Sequence, residues 1–311
     1  ACLATLLVDA ALLACGFPAP LSLTLGAIAA ATAPAATLMV VRQYHAKGEV
    51  TSTLLPVVAM DDAVGLMLFS ISLPLSQALA SNATLTVTSM LLQPLLEIVL
   101  SLAVGAGIGL LIALAMRFFH SKVNRISVAV AAVLLGSALA SIWNLSSLLL
   151  CMAIGAVLVN LRKDADELLE ITDAWTPPLF MLFFVLSGAE LDLAVVPTVG
   201  LLGVVYMVAR SLGKYFGSFL GATIAKSSPN IRKYLGLTLL PQAGVAIGMA
   251  QVALNALPEY GTQIQAVVLT ATLIYELIGP VITKLALTAA GEIQDSKKSK
   301  AKTEQSAGGA K

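Results

Sequence analysis

Residues 54–80 read LLPVVAMDDAVGLMLFSISLPLSQALA, and Asp61 and Asp62 are the only charged residues in that stretch. The segment exceeds the roughly 20 apolar residues that carry a helix across a bilayer. A carboxylate at membrane depth costs about 2.5–3.5 kcal/mol on insertion scales. Two adjacent ones therefore point to a functional role, which is binding a cation, carrying protons, or both. The competing reading is a structural pair that caps a helix or bridges to a lysine, but one carboxylate would serve that purpose at lower cost.

The rest of the chain agrees with a membrane setting. Its 311 residues are 58% hydrophobic and 11% charged, against about 25% charged in soluble domains, and the mean hydropathy is +0.92. An all-α, polytopic membrane protein is expected. The net charge of +1 gives no reason to expect a nucleic-acid partner. Cys2, Cys15 and Cys151 lie in apolar runs, His45 and His120 lie in short polar loops, and no CxxC spacing occurs. That pattern predicts no zinc site and no cofactor. The chain opens without Met, directly in ACLATLLVDAALLACGF. With no basic region ahead of it this is not a signal peptide, and it reads as a chain preceded by further sequence.

Apolar runs and polar punctuation give ten spans, at about 1–15, 21–41, 51–79, 94–116, 126–143, 146–161, 174–189, 197–221, 233–254 and 264–288. Residues 1–290 form the transmembrane part; the Lys-rich, Gly/Ala/Ser-rich residues 291–311 read as a disordered tail. Basic residues occupy every second loop: Arg42 and Lys47; Arg117, Lys122 and Arg125; Arg162 and Lys163; Lys226, Arg232 and Lys233; then Lys284 and the tail. The alternate loops hold no Lys or Arg. The basic loops and the C-terminus are thus expected in the cytoplasm, with the protein multi-pass in an inner (plasma) membrane.

Arg210 and Lys214 fall inside the eighth span, four residues apart and so on one helix face. Snorkelling to the membrane surface would account for either. A buried aspartate pair, however, needs a counter-charge, which makes Lys214, with Arg210 as the alternative, the expected ion-pair partner.

Two spans are interrupted. The second reads LGAIAAATAPAATLMVV, with Pro34 beside Thr32; the ninth reads LGLTLLPQAGVAIGMAQVAL, with Pro241, Gln242 and Gly244. A proline removes a backbone hydrogen bond and breaks the helix. Two breaks at corresponding places are the pointer to a transport site built from discontinuous helices. Spans one to three (residues 1–80) and eight to ten (197–288) would be inverted triplets joined by linking helices at 94–189. Each reads charged span, broken span, acidic span: Asp9, Thr32–Pro34 and Asp61–Asp62, then Arg210 and Lys214, Pro241–Gln242 and Glu276. Asp9 is read as structural. Glu276 and Gln242 are possible secondary site residues, Glu276 being equally able to bridge to an arginine or cap a half-helix. Two neighbouring aspartates titrate as a pair and cannot comfortably hold protons and a cation together. Asp61 and Asp62 would bind the transported monovalent cation, and the Thr32 hydroxyl and unwound carbonyls would complete a hard-cation shell.

The segments AATAPAATLMVVRQ, AMDDAVGLMLF, FFVLSGAELDL, ARSLGKYFGSFLGA and ELIGP resemble the bacterial monovalent cation:proton antiporter superfamily, with most likeness to its Kef-like and NapA-like branch. The resemblance implies an inverted-repeat fold with two crossing broken helices, alternating access, and a homodimer within the lipid bilayer. It implies that Asp62 is the essential cation- and proton-binding aspartate, that Asp61 partners a lysine, best matched by Lys214, and that Thr32 lies at the first break. An Asp-Asp pair is associated with electrogenic exchange, usually of sodium, and the family carries two or three more helices ahead of the first span.

A sodium/proton antiporter is the expectation. A potassium/proton antiporter or a channel-like potassium efflux protein is the alternative. Kef-type systems append a soluble nucleotide-binding domain that these 311 residues lack. An intramembrane aspartyl protease would need two carboxylates facing each other, whereas helix neighbours point about 100° apart.

Overall fold

The computed structural model describes residues 1–81, 92–119, 121–189 and 200–293. His120, residues 82–91, residues 190–199 with the end of the FFVLSGAELDL segment, and residues 294–311 lie outside the described residues.

Among the described residues all regular structure is helical. In chain order the helices are α1 (Cys2–Ala14), α2 (Ala19–Ala29), α3 (Pro34–Gln43), α4 (Glu49–Ala80), α5 (Gln93–Ala115), α6 (Lys122–Trp143), α7 (Ser147–Leu161), α8 (Ala165–Ala189), α9 (Gly200–Ile224), α10 (Pro229–Thr238), α11 (Gly244–Ala256) and α12 (Gly261–Ala289). Eight of the ten expected spans are single helices, and the second and ninth are each split in two, which accounts for all twelve. By length and composition α4, α6, α12 and the Leu95–Ala115 part of α5 can each cross a membrane alone. The shorter apolar helices include halves of the two broken spans. α8 starts earlier than hydropathy suggests, at Ala165, because Asp166 and Glu167 suit the positive end of a helix dipole.

The described chain clusters into two compact units: Ala1–Gly65 with Asp192–Lys311, and Leu66–Leu191. The first boundary, between Gly65 and Leu66, falls inside α4.

In the first unit α1 packs on α9 and α2, α10 on α9 and α12, and α11 on α12. Apolar surface offers little drive between helices in lipid, so close backbone approach matters more. Gly213 of α9 shows this: a Cβ there would sit 2.5 Å from the Cα of Ala4. Along α4, Val50, Leu54 and Val58 recur every four residues and bury against Val40, Leu235, Leu239 and Leu287. That cluster also takes in Ala46, Ala222 and Ile231, so the loop after α3, the α9–α10 turn and the end of α12 gather at one end of the unit.

In the second unit α5 lies against α7, where Gly105 leaves room for the Leu150 carbonyl. Ile108, Ile112, Ala132, Ala140, Leu150, Ile154 and Leu158 form its core. The outer sides of α5 and α6 carry exposed Leu95, Leu110, Leu111, Val133 and Leu134, as lipid-facing helices do. At the α6 start, Arg125 is buried and donates to Asp164 at 2.9 Å and Glu167 at 2.5 Å. The Arg162 guanidinium, bonded to the Asp164 side chain, holds that carboxyl below its usual range.

Of the polar tail expected from Gly291, residues 291–293 are folded. Gly291 takes the left-handed conformation (φ +78°) after α12. Its N–H donates to Thr288 O and that of Glu292 to Leu287 O, the paired bonds of a Schellman ending.

Candidate cation and proton site

Both broken spans open where the sequence places proline. α2 ends at Ala29 and α3 begins at Pro34; α10 ends at Thr238 and α11 begins at Gly244. The two breaks cross, since the Ala33 N–H donates to Pro241 O at 2.9 Å. Each break exposes the carbonyl end of one half-helix and the N–H end of the next.

The carbonyl ends are closed by side chains of α9 and of the opposite break. Arg210, fully buried, donates to Ala29 O at 3.1 Å, Ala31 O at 2.7 Å, Leu240 O at 2.7 Å and Pro241 O at 3.5 Å. Its guanidinium also stacks over the Tyr275 ring, 4.5 Å from the centroid. Tyr275 is held by its hydroxyl, which donates to Met207 O. Gln242 donates to Ile28 O at 3.2 Å and bonds the buried Tyr206 hydroxyl. Thr37 donates to Thr238 O at 3.2 Å.

Arg210, considered from sequence as an alternative ion-pair partner, is therefore a carbonyl clamp. The physical reason is its planar fork of five donors, which can serve several carbonyls at once. Of the carbonyls around the first break, those of residues 28–31 are occupied by Gln242, Arg210 or Lys214.

Lys214, one turn beyond Arg210, is buried and reaches Ala30 O, the Asp61 carboxylate and the Thr32 hydroxyl, the last at 2.7 Å. Thr32 in turn donates its hydroxyl to Asp61 Oδ2 at 2.6 Å and its backbone N–H to Asp62 Oδ1 at 3.2 Å. The backbone nitrogen of Ala1 lies 2.8 Å from Asp61 Oδ1. Asp61 is 7% exposed. Asp62 is only half-buried, and among the described residues the Thr32 N–H is its one hydrogen-bond donor. Gly65, one turn on, brings α4 close to the Ala30–Ala31 backbone, with a Cβ there 3.3 Å from Ala30 Cβ.

The structure thus joins Asp61, Asp62, Thr32 and Lys214 at the first break and sets Arg210 and Gln242 on the carbonyl ends. Glu276 and Asp9 stand apart: Glu276 Oε1 and Asp9 Oδ1 are buried with no hydrogen-bond partner among the described residues. Asp9 lies directly against Gly26, where any Cβ would collide with its Oδ1. Sequence reading missed Tyr206 and Tyr275. Tyr206 had a findable signal, because it precedes Arg210 by four residues on α9 and must share its face. Tyr275 comes from a different helix and had none.

Chemically, Asp61 has its charge met by an ammonium and a hydroxyl, while Asp62 keeps lone pairs available. Such a carboxylate can take a hard monovalent cation or a proton, each excluding the other. No group of three or more His, Cys, Asp or Glu able to hold a metal ion occurs among the described residues. Among curated proteins none matches the chain. Residues 1–289 match the family described as sodium/hydrogen exchanger, transmembrane, and the chain belongs to that family of multi-pass membrane cation/proton antiporters.

Proposed function

We propose that the protein is an electrogenic sodium/proton antiporter of the Kef-like/NapA-like branch, working by alternating access, with sodium and protons competing for Asp62. The observation that carries this reading is the asymmetry of the aspartate pair. Lys214 and Thr32 engage Asp61, whereas Asp62 is half-buried and accepts one backbone N–H. Asp62 is then the exchanging carboxylate. Asp61 holds Lys214 in one state and releases it when a cation adds charge to the site. On release Lys214 gives up its proton and regains one on the opposite side, so that with Asp62 two protons move against one cation and exchange is electrogenic.

The crossed breaks support a pair of inverted triplets, 1–80 and 197–288, moving around the site. Family membership supports a transporter rather than an enzyme, with sodium and protons as substrates. A homodimer in the inner membrane, with the basic loops and C-terminus cytoplasmic, completes the reading. The orientation is supported by the alternation of Lys and Arg between loops and by the gathering of Ala46, Ala222, Ile231 and Leu287, each near a basic loop or end, at one end of the first unit; the homodimer rests on the family resemblance alone.

The test is cation-induced dequenching of a pH-sensitive dye in proteoliposomes, wild type beside Asp62→Asn, with sodium, lithium and potassium supplied separately. A sodium response that vanishes in the variant is expected. Wild-type exchange by Asp62→Asn would remove that residue from the mechanism. Potassium flux without proton coupling would replace exchange by channel-like efflux.

A further inference from the structure

Helix α4 begins without a side-chain acceptor from the residue just ahead of it. The residue ahead of Glu49 is Gly48, which has no side chain to offer, while the first N–H groups of any helix need acceptors. The acceptor comes from the far end of the sequence. The Glu292 carboxylate receives the Val50 N–H at 2.6 Å, the Thr51 N–H at 2.8 Å and the Thr51 hydroxyl at 2.7 Å. Glu292 is 8% exposed. Its backbone O accepts the Lys47 N–H at 3.1 Å. A Cβ at position 48 would lie 2.3 Å from the carboxyl carbon, so glycine there is the cradle that admits the carboxylate. The left-handed Gly291 aims Glu292 back across α12.

Pro56 lies between this clamp and the aspartate pair. It has no N–H, so α4 lacks the bond that would run to the Ser52 carbonyl. The first turns of α4 are joined to the Asp61 end through a weakened point, and the Glu292 contact holds them in line from outside.

We infer that Glu292 is a positioning residue for exchange: it ties the end of α12 to the start of α4 and fixes the aspartate-bearing helix against the break at Thr32. The inference rests on the antiport reading above. The contact has two separable roles, capping α4 and tethering α4 to α12. Gly48→Asp placed in a Glu292→Ala background restores a local cap without restoring the tether.

The experiment compares full-length wild type, Glu292→Ala and Glu292→Ala/Gly48→Asp in proteoliposomes. It reads half-saturating sodium, maximal rate and melting temperature for each. Glu292→Ala is expected to lower the melting temperature and raise half-saturating sodium about three- to tenfold. The double variant should regain thermal stability and keep the raised half-saturation. Recovery of both by the local cap, or wild-type half-saturation in Glu292→Ala, would overturn the inference. If wild type exchanges no cation, the functional reading fails by itself. Hydrogen exchange then decides the tether: faster exchange across residues 57–65 in the double variant supports it, and wild-type protection there overturns it.

Discussion

The two helix breaks are built alike in backbone and differ in chemistry. Both interrupt a span beside a proline and expose carbonyls at 28–31 on one side and 238–241 on the other. Both rely on Arg210 to close those carbonyls. The first break then adds a hydroxyl, two carboxylates and an ammonium through Thr32, Asp61, Asp62 and Lys214. The second adds Gln242, whose amide bonds Ile28 O and the Tyr206 hydroxyl, and a tight seat in which Gly279 leaves room for Pro241, a Cβ there being 2.8 Å from its Cγ. Crossing breaks supply a scaffold with fixed dipole ends; among the described residues the aspartate pair engages the first of them, which is where we propose that the ion binds. Had both carried carboxylates, the fold would have had two like-charged sites to compensate with the same two basic residues.

That contrast can be broken by substitution. The largest effect on transport belongs to Asp62→Asn, which should abolish exchange, at least 100-fold, with a melting temperature within a few degrees of wild type. Loss of folding instead would make Asp62 a structural residue of the first break. The largest effect on stability belongs to Arg210, because both breaks depend on it. Arg210→Ala strands several buried carbonyls and should cost about 3–5 kcal/mol, the range for breaking a buried charged network. Arg210→Lys should recover little, since an ammonium cannot present the same fork. A near-wild-type melting curve for Arg210→Ala would show that the breaks close without it.

Lys214→Ala comes next. It leaves Asp61 buried without its lysine, and a loss of about 3 kcal/mol is expected. Adding Asp61→Asn removes the stranded charge and should restore at least half of that loss, read as a double-mutant cycle on thermal unfolding. Additive losses would dissolve the pair. Gln242→Ala should do least. A single neutral hydrogen-bond network inside a membrane protein is worth about 0.6–2 kcal/mol, and half-saturating sodium should stay within twofold of wild type. A large shift in sodium affinity from Gln242→Ala would give the second break a share in the site and narrow the difference between the two.

How much of this was legible beforehand differs residue by residue. Pro34 and Pro241 announced both breaks, because a proline lacks the N–H that continues a helix whatever surrounds it. Asp61, Asp62 and Lys214 announced themselves as charges where charge is expensive. Arg210 was legible as unusual and illegible in role. Its partners are backbone carbonyls from two distant segments, and backbone atoms carry no sequence signature. Glu292 read as the start of a polar tail because composition averages over a window, whereas its place depends on one glycine at 291 and another at 48.

By itself, then, the sequence determined that the chain is a bundle of apolar helices, which spans are broken, and which charged residues lie at membrane depth. Those follow from side-chain solvation and proline chemistry, which act locally. Only the tertiary structure decided that the breaks cross at Ala33 and Pro241, that Arg210 serves carbonyls while Lys214 serves Asp61, and that Asp62 is the less engaged of the two aspartates. Each of those depends on which donor reaches which acceptor between segments far apart in the chain, and only the packing of helices against one another sets those distances.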